Sequence, residues 1–116
     1  MTMKVDFYCW TSWSTCRKAR EFLLQKGVEI NYHDFFKDPF SRTEIENLLQ
    51  GKPVSKMFNF RSPSFKKMGL EEGVLTDDEL MELILNEPRF IRRPVVRIGG
   101  NVYFGANSKV LAEIVT

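Results

Sequence analysis

A single thiol, Cys16, closes the run Trp13-Ser14-Thr15-Cys16 and opens a basic stretch, Arg17-Lys18-Ala19-Arg20. The run follows a strand-like segment from Lys4 to Cys9. A thiol in the first turn of a helix after a strand meets unpaired backbone N–H groups and the positive end of the helix dipole, and both favour a thiolate. A thiolate is the form that attacks disulfides and comparable electrophiles. A Cys-x-x-Cys motif would place its first, attacking cysteine three residues before Cys16. That position holds Trp13, which has one hydrogen-bond donor and no nucleophile. The run has the frame of thiol chemistry with its leading thiol replaced.

Each of these residues has a functional and a structural reading. Cys16, Ala19 and Leu23 recur at i, i+3 and i+7, which places the thiol on the apolar stripe of a helix. Burial there opposes the activating effect of the helix start. Cys9 shares a strand face with Val5 and Phe7 and reads as a core thiol. A Cys9–Cys16 disulfide requires Cα atoms within about 7 Å, which spacing alone does not decide. The apolar bulk of Trp13 suits plugging or packing, and its ring face suits stacking on a ligand. His33, the only histidine, sits between Tyr32 and Asp34 and reads as structural; with two cysteines it does not complete a four-ligand metal site.

The elements that must position these residues belong to one domain. The chain has 116 residues, 43% of them apolar and 13% aromatic, which suits one packed core. A formal charge of +2 offers no broad field for nucleic acid or an anionic membrane. No apolar run approaches the roughly 20 residues of a membrane span. The opening Met1-Thr2-Met3-Lys4 lacks the layout of a secretory signal, and the expected setting is cytoplasmic. Two cysteines do not make a disulfide framework.

Alternation of Val5, Phe7 and Cys9 predicts a strand, followed by a helix from about Ser14 to Lys26 that Gly27 stops. Val28, Ile30 and Tyr32 predict a second strand, parallel to the first across a right-handed crossover. Ser41-Arg42-Thr43-Glu44 and Thr76-Asp77-Asp78-Glu79 are capping boxes, and Pro53 and Pro63 suit the first turns of two short helices. The segment from about 41 to 86 therefore reads as a helical insertion. Phe35, Phe36, Phe40, Phe58, Phe60 and Phe65 are expected to form the core beneath it. Pro94 to Ile98 and Val102 to Phe104 flank Gly99-Gly100-Asn101, a hairpin signal, and a last helix spans about Asn107 to Val115. The order predicts an α/β thioredoxin-like fold: a four-stranded mixed sheet with a helical insertion, as a single domain over 1–116.

Three separated segments strengthen this reading: Thr15-Cys16-Arg17-Lys18-Ala19, Arg61-Ser62-Pro63-Ser64, and Ile91-Arg92-Arg93-Pro94-Val95-Val96. In that order and spacing they resemble the ArsC/Spx family, which includes glutaredoxin-linked arsenate reductases and the redox-sensing transcription regulator Spx. The resemblance covers essentially the whole chain. It implies that Trp13 stands where the reductases carry their attacking cysteine, and that Cys16 is the candidate catalytic redox thiol. It implies that Arg61 and Arg93 bind an oxyanion near residues 12 to 16, against competing ion pairs to Glu87 or Asp34. A third family arginine corresponds to Gly105 here, as in Spx-like members. Trp13 and Pro94 are implied at the substrate or thiol-binding edge, with Pro94 cis.

Two functions follow as expectations. One is a thiol-dependent, arsenate reductase-like oxidoreductase acting on a small anion or thiol. It would hold no cofactor and would draw electrons from glutathione or glutaredoxin, with arsenate reduction itself weakened by Trp13. The other is a non-catalytic binding protein, such as a Spx-like regulator contacting RNA polymerase.

Overall fold

The computed structural model describes residues 4–9 and 13–115. Four strands form one mixed sheet in the order β2-β1-β3-β4. β1 (Lys4–Tyr8) and β2 (Glu29–His33) are parallel, with Val5 opposite Ile30 and Phe7 opposite Tyr32. The crossover between them is α1 (Ser14–Gln25). Gly27, with φ 74°, takes the left-handed conformation that ends the helix. β3 (Val95–Ile98) runs antiparallel to β1 and turns through Gly99-Gly100 into β4 (Asn101–Phe104). Asn101 pairs with Ile98 and so belongs to the strand, which leaves a two-residue turn. The φ of 60° at Gly99 is the value that the first position of a type II′ hairpin demands.

The strand alternation sets the core of this sheet unit. Val5, Phe7 and Cys9 point to one side, where they meet Cys16, Ala19 and Leu23 of α1. Leu111 from the C-terminal helix (Ser108–Ile114) and Val115 just after it complete that cluster. Asn107 caps this helix by accepting from the Val110 N–H at 2.9 Å.

Residues 39–92 form a second unit, separate in its internal packing from residues up to 38 and from 93 onward. It contains α2 (Arg42–Leu49), α3 (Pro63–Lys67) and α4 (Asp77–Asn86), with single 3₁₀ turns at Val54–Lys56 and Pro88–Phe90. The C-terminal helix Ser108–Ile114 of the sheet unit is therefore α5. Both capping boxes form. The Glu44 N–H donates to Ser41 Oγ at 3.2 Å, and the Glu79 N–H donates to Thr76 Oγ1 at 3.3 Å. The Glu44 and Glu79 carboxylates accept from the Ser41 and Thr76 N–H groups, both at 3.0 Å. Thr76→Ala is expected to cost about 1 kcal/mol, read as a lower urea midpoint at unchanged slope. Pro63 opens α3, whereas Pro53 precedes its 3₁₀ turn as the cap residue.

The helical unit closes on itself by an antiparallel bridge between Phe58 and Ile91. The Asn59 N–H donates to the Phe90 carbonyl at 2.6 Å, and the Arg92 N–H to the Met57 carbonyl at 2.7 Å. Phe58 lies between Phe60, Phe65 and Phe90, with ring centroids 4.8, 5.3 and 5.2 Å away. The expected single aromatic cluster is in fact divided. Phe35 and Phe36 belong to the sheet unit and pack with Trp13. The reason is local: Asp34 accepts from the N–H groups of Phe36 and Lys37 at 2.9 and 3.1 Å, and this turn holds the chain beside the end of β2.

Candidate functional site

β1 ends at Tyr8, and Cys9 continues its line. The Cys9 N–H donates to the His33 carbonyl at 3.0 Å, and the Tyr32 hydroxyl donates to the Cys9 carbonyl at 3.0 Å. Cys9 is thus held at the end of the central strand by β2, with its side chain in the core. α1 begins at Ser14, so Trp13 is its cap residue and Cys16 its third helical residue. The Arg17 N–H donates to the Trp13 carbonyl at 3.1 Å, closing the first turn. No side chain caps this helix start, and its first turn carries no acidic residue.

The two thiols, whose pairing the sequence spacing left open, come together. Cys9 and Cys16 are disulfide-bonded, with Cα atoms 6.1 Å apart. That separation lies inside the range that a disulfide spans without moving backbone. The residues are 0% and 1% exposed, so the sulfurs are sealed beneath the surface. Periodicity identified both as core-facing, and only their convergence needed three dimensions.

Trp13 is half-buried and packs against the same core cluster as the cysteines. Its ring meets Phe36 edge-on with centroids 4.7 Å apart, and Phe35 lies 6.3 Å away. The Arg93 guanidinium carbon sits 3.4 Å from the centre of the Trp13 ring. Trp13 therefore fills its position by packing, and its ring face is taken by a cation of the same chain. Stacked guanidinium–indole pairs contribute about 0.5–2 kcal/mol, more when shielded from water.

Arg93 precedes Pro94 through a cis peptide bond, as the family motif implies. The Pro94 carbonyl accepts from the Ala106 N–H at 2.9 Å, which ties the start of β3 to the end of the hairpin. Of the expected competitors for Arg93, Glu87 lies 3.7 Å from Arg89, and Asp34 caps the turn described above. Gly105 has φ 67°, a left-handed conformation in which an arginine side chain would be strained. The position that the resemblance aligns with a third family arginine thus has a backbone that favours glycine.

Arg61 belongs to the helical unit, is exposed, and its N–H donates to Asn59 Oδ1 at 3.2 Å. Ser12, at the edge of the expected anion pocket, lies outside the described residues. The sheet unit thus gathers Cys9, Trp13, Cys16, Arg93 and Pro94. Phe35, Phe36 and Tyr32 join them without having been expected there. No pattern in the sequence links Phe36 to Trp13, although Asp34 signals the turn that brings it round. His33 stacks on Tyr8 with ring centroids 4.6 Å apart, and its Nε2 lies 3.6 Å from Asp6 Oδ1, a structural role. Among the described residues, no group of three or more His, Cys, Asp or Glu side chains is placed to hold a metal. No helix among them is long and apolar enough to cross a membrane.

Known proteins match this chain along almost all of its length. The sequence pattern of the ArsC family matches residues 8–114. The regulatory protein MgsR of Bacillus subtilis (strain 168) is 26% identical over 116 residues, covering 98% of this chain and 92% of that protein. The global transcriptional regulator Spx of Streptococcus pyogenes serotype M1 is 28% identical over 105 residues, covering 89% and 78%. Among solved structures, an arsenate reductase from Vibrio cholerae superposes with a TM-score of 0.82 at 24% identity, covering 98% of this chain and 99% of that one.

Proposed function

The chain belongs to the ArsC family, and from that membership we propose that it is a non-catalytic, Spx-like regulatory member that acts by binding a partner protein. The partner in this reading is RNA polymerase, and the setting is the cytoplasm. The observation that carries the reading is Trp13. The residue at the mouth of α1, where the family's reductases attack, has no nucleophile and is packed against Phe36 beneath Arg93. The remaining sulfurs, on Cys9 and Cys16, are sealed and bonded to each other. A reductase needs a thiolate that its substrate can reach. A regulator needs only its surface, and two relatives that span most of this chain are named as regulators.

Arg61 and Arg93 keep a binding role in this proposal. Guanidinium groups suit an oxyanion, as a ligand or as a carboxylate of the partner. The test uses purified RNA polymerase and gel filtration. Co-elution with the protein is expected, together with no arsenate-dependent NADPH oxidation when glutathione and glutaredoxin are supplied. Arsenate-dependent turnover that disappears in Cys16→Ser would overturn the proposal.

One observation favours a second reading, a thiol oxidoreductase: Cys16 lies in the first turn of α1, beside Arg17 and Lys18. In that reading Cys16 is the catalytic thiol, glutathione or glutaredoxin is the reductant, and Trp13 and Pro94 form the edge that meets a thiol substrate. The coupled assay with small disulfides in place of arsenate separates the two readings.

A further inference from the structure

We propose that the exposed cations around the Phe58–Ile91 bridge and the end of α3 form a docking surface for a short acidic segment of a partner protein. This deepens the partner-binding reading above, on which it rests, by giving the chemistry of the segment that the partner presents.

The surface starts from charge placement along the chain. Residues 47–70 carry five cations and no acid, and residues 88–92 add Arg89 and Arg92, again with no acid. At the chain's average density of Asp and Glu, those two stretches together would hold about four. The acids lie between them: residues 71–87 carry seven, from Glu71 to Glu87, and no cation.

The fold then brings the two basic stretches together. On either side of the Phe58–Ile91 bridge, Arg92 bonds to Met57 and Asn59 to Phe90 through the backbone. Arg92 Nη1 also donates to the Lys56 carbonyl at 3.4 Å, so these two cations share one end of the ribbon. Phe65 of α3 packs on Phe58 and Phe60, with ring centroids 5.3 and 5.4 Å away, which seats α3 against the same ribbon. The rings of Phe58, Phe65 and Phe90 are buried, while Lys56, Arg61, Lys66, Lys67 and Arg92 are exposed. Among the described residues, the ion pairs of this unit are Arg42–Glu82 and Arg89–Glu87, and none of those five cations takes part in one. Like charges held on a firm aromatic base repel one another, and a bound anion relieves that repulsion.

The extent of the surface selects the anion. A nucleic-acid duplex carries one charge per about 1.7 Å and runs on past a short patch. Here the chain turns acidic at Glu71, soon after Lys67, and at Glu87, just before Arg89, and the formal charge of the whole is only +2. A long polyanion crossing the cations meets those carboxylates, whereas an acidic peptide segment ends where the cations end. Lysine and arginine donors suit its carboxylates. Met68, directly after Lys67, is 45% exposed and offers an apolar contact to a side chain set among the acids.

The full chain is titrated against a short fluorescein-labelled peptide of glutamates around one leucine, read by fluorescence anisotropy. Binding is expected at low salt, weakening as salt rises, because exposed charge pairs are screened. Lys56→Glu/Arg92→Glu and Lys66→Glu/Lys67→Glu reverse separate parts of the surface, and each is expected to raise Kd about tenfold. The second pair still reads the surface if loss of the Arg92 bond loosens the ribbon. Lys4→Glu/Lys109→Glu makes the same change of net charge on the sheet unit and is expected to leave Kd unchanged. No binding of the peptide, or equal weakening by all three variants, would overturn the surface. A labelled DNA duplex that binds more tightly than the peptide at the same salt would overturn the choice of partner. Dimerisation at low salt that Lys66→Glu/Lys67→Glu abolishes would assign the surface to the acidic stretch of a second copy instead. The peptide stands in for the polymerase, so the two readings fail separately: co-elution with RNA polymerase that survives both reversals overturns this surface alone.

Discussion

Trp13→Cys is expected to gain glutathione- and glutaredoxin-dependent arsenate reduction from a background at which the unmodified protein shows none. The substitution places a thiol at the cap of α1, where no acid occupies the first turn and Arg17 follows one turn later. Helix-start N–H groups and nearby cations lower a thiol pKa and so raise the thiolate fraction. It also removes the ring on which Arg93 rests. The variant is expected to remain slow. The resemblance aligns one family arginine with Gly105, and the loss of a single oxyanion donor costs on the order of 10²–10³ in rate. Restoring that arginine is no simple remedy, because Gly105 sits at φ 67°. The measurement is NADPH oxidation with and without arsenate. Rates indistinguishable from the unmodified protein would mean that the anion site is absent and that the thiol alone recovers nothing.

Phe58→Ala is expected to carry the largest cost in stability. Phe58 is fully buried in the helical unit and touches three other rings, while its backbone forms the bridge to Ile91. Truncating a buried phenylalanine removes its transfer energy and leaves a cavity, about 3–5 kcal/mol together. For a chain of this size that corresponds to a fall in Tm of roughly 10 °C or more. Leu24→Ala is the control: Leu24 is half-exposed on α1, and such surface changes fall within about 0.5 kcal/mol. A loss near that of Leu24→Ala would show that the aromatic cluster does not hold the helical unit together.

The elements of this protein were largely legible in the sequence because their signals are local. A capping box needs four consecutive residues, and Ser41-Glu44 and Thr76-Glu79 both form as their side chains require. Strand alternation assigned Val5, Phe7 and Cys9 to one face, and helical spacing assigned Cys16, Ala19 and Leu23 to another. That Trp13 has no nucleophile is likewise a matter of residue type alone, whereas its standing where the reductases carry their attacking thiol is what the resemblance implies.

What the tertiary structure decided is which of those faces meet. Cys9 was read as a core residue and Cys16 as either a redox thiol or part of an apolar stripe, yet their bond depends on how close the two Cα atoms come, which no periodicity encodes. Arg93 was expected at an oxyanion or in an ion pair with Glu87 or Asp34, and the fold lays its guanidinium on the Trp13 ring, 3.4 Å away, a contact that no spacing in the sequence indicated. Phe35 and Phe36 were assigned with the helical insertion on composition, and the turn at Asp34 keeps them with Trp13. Type and spacing are properties of neighbours along the chain. Pairing between distant side chains is a property of packing, and packing is settled only when every element competes for the same core.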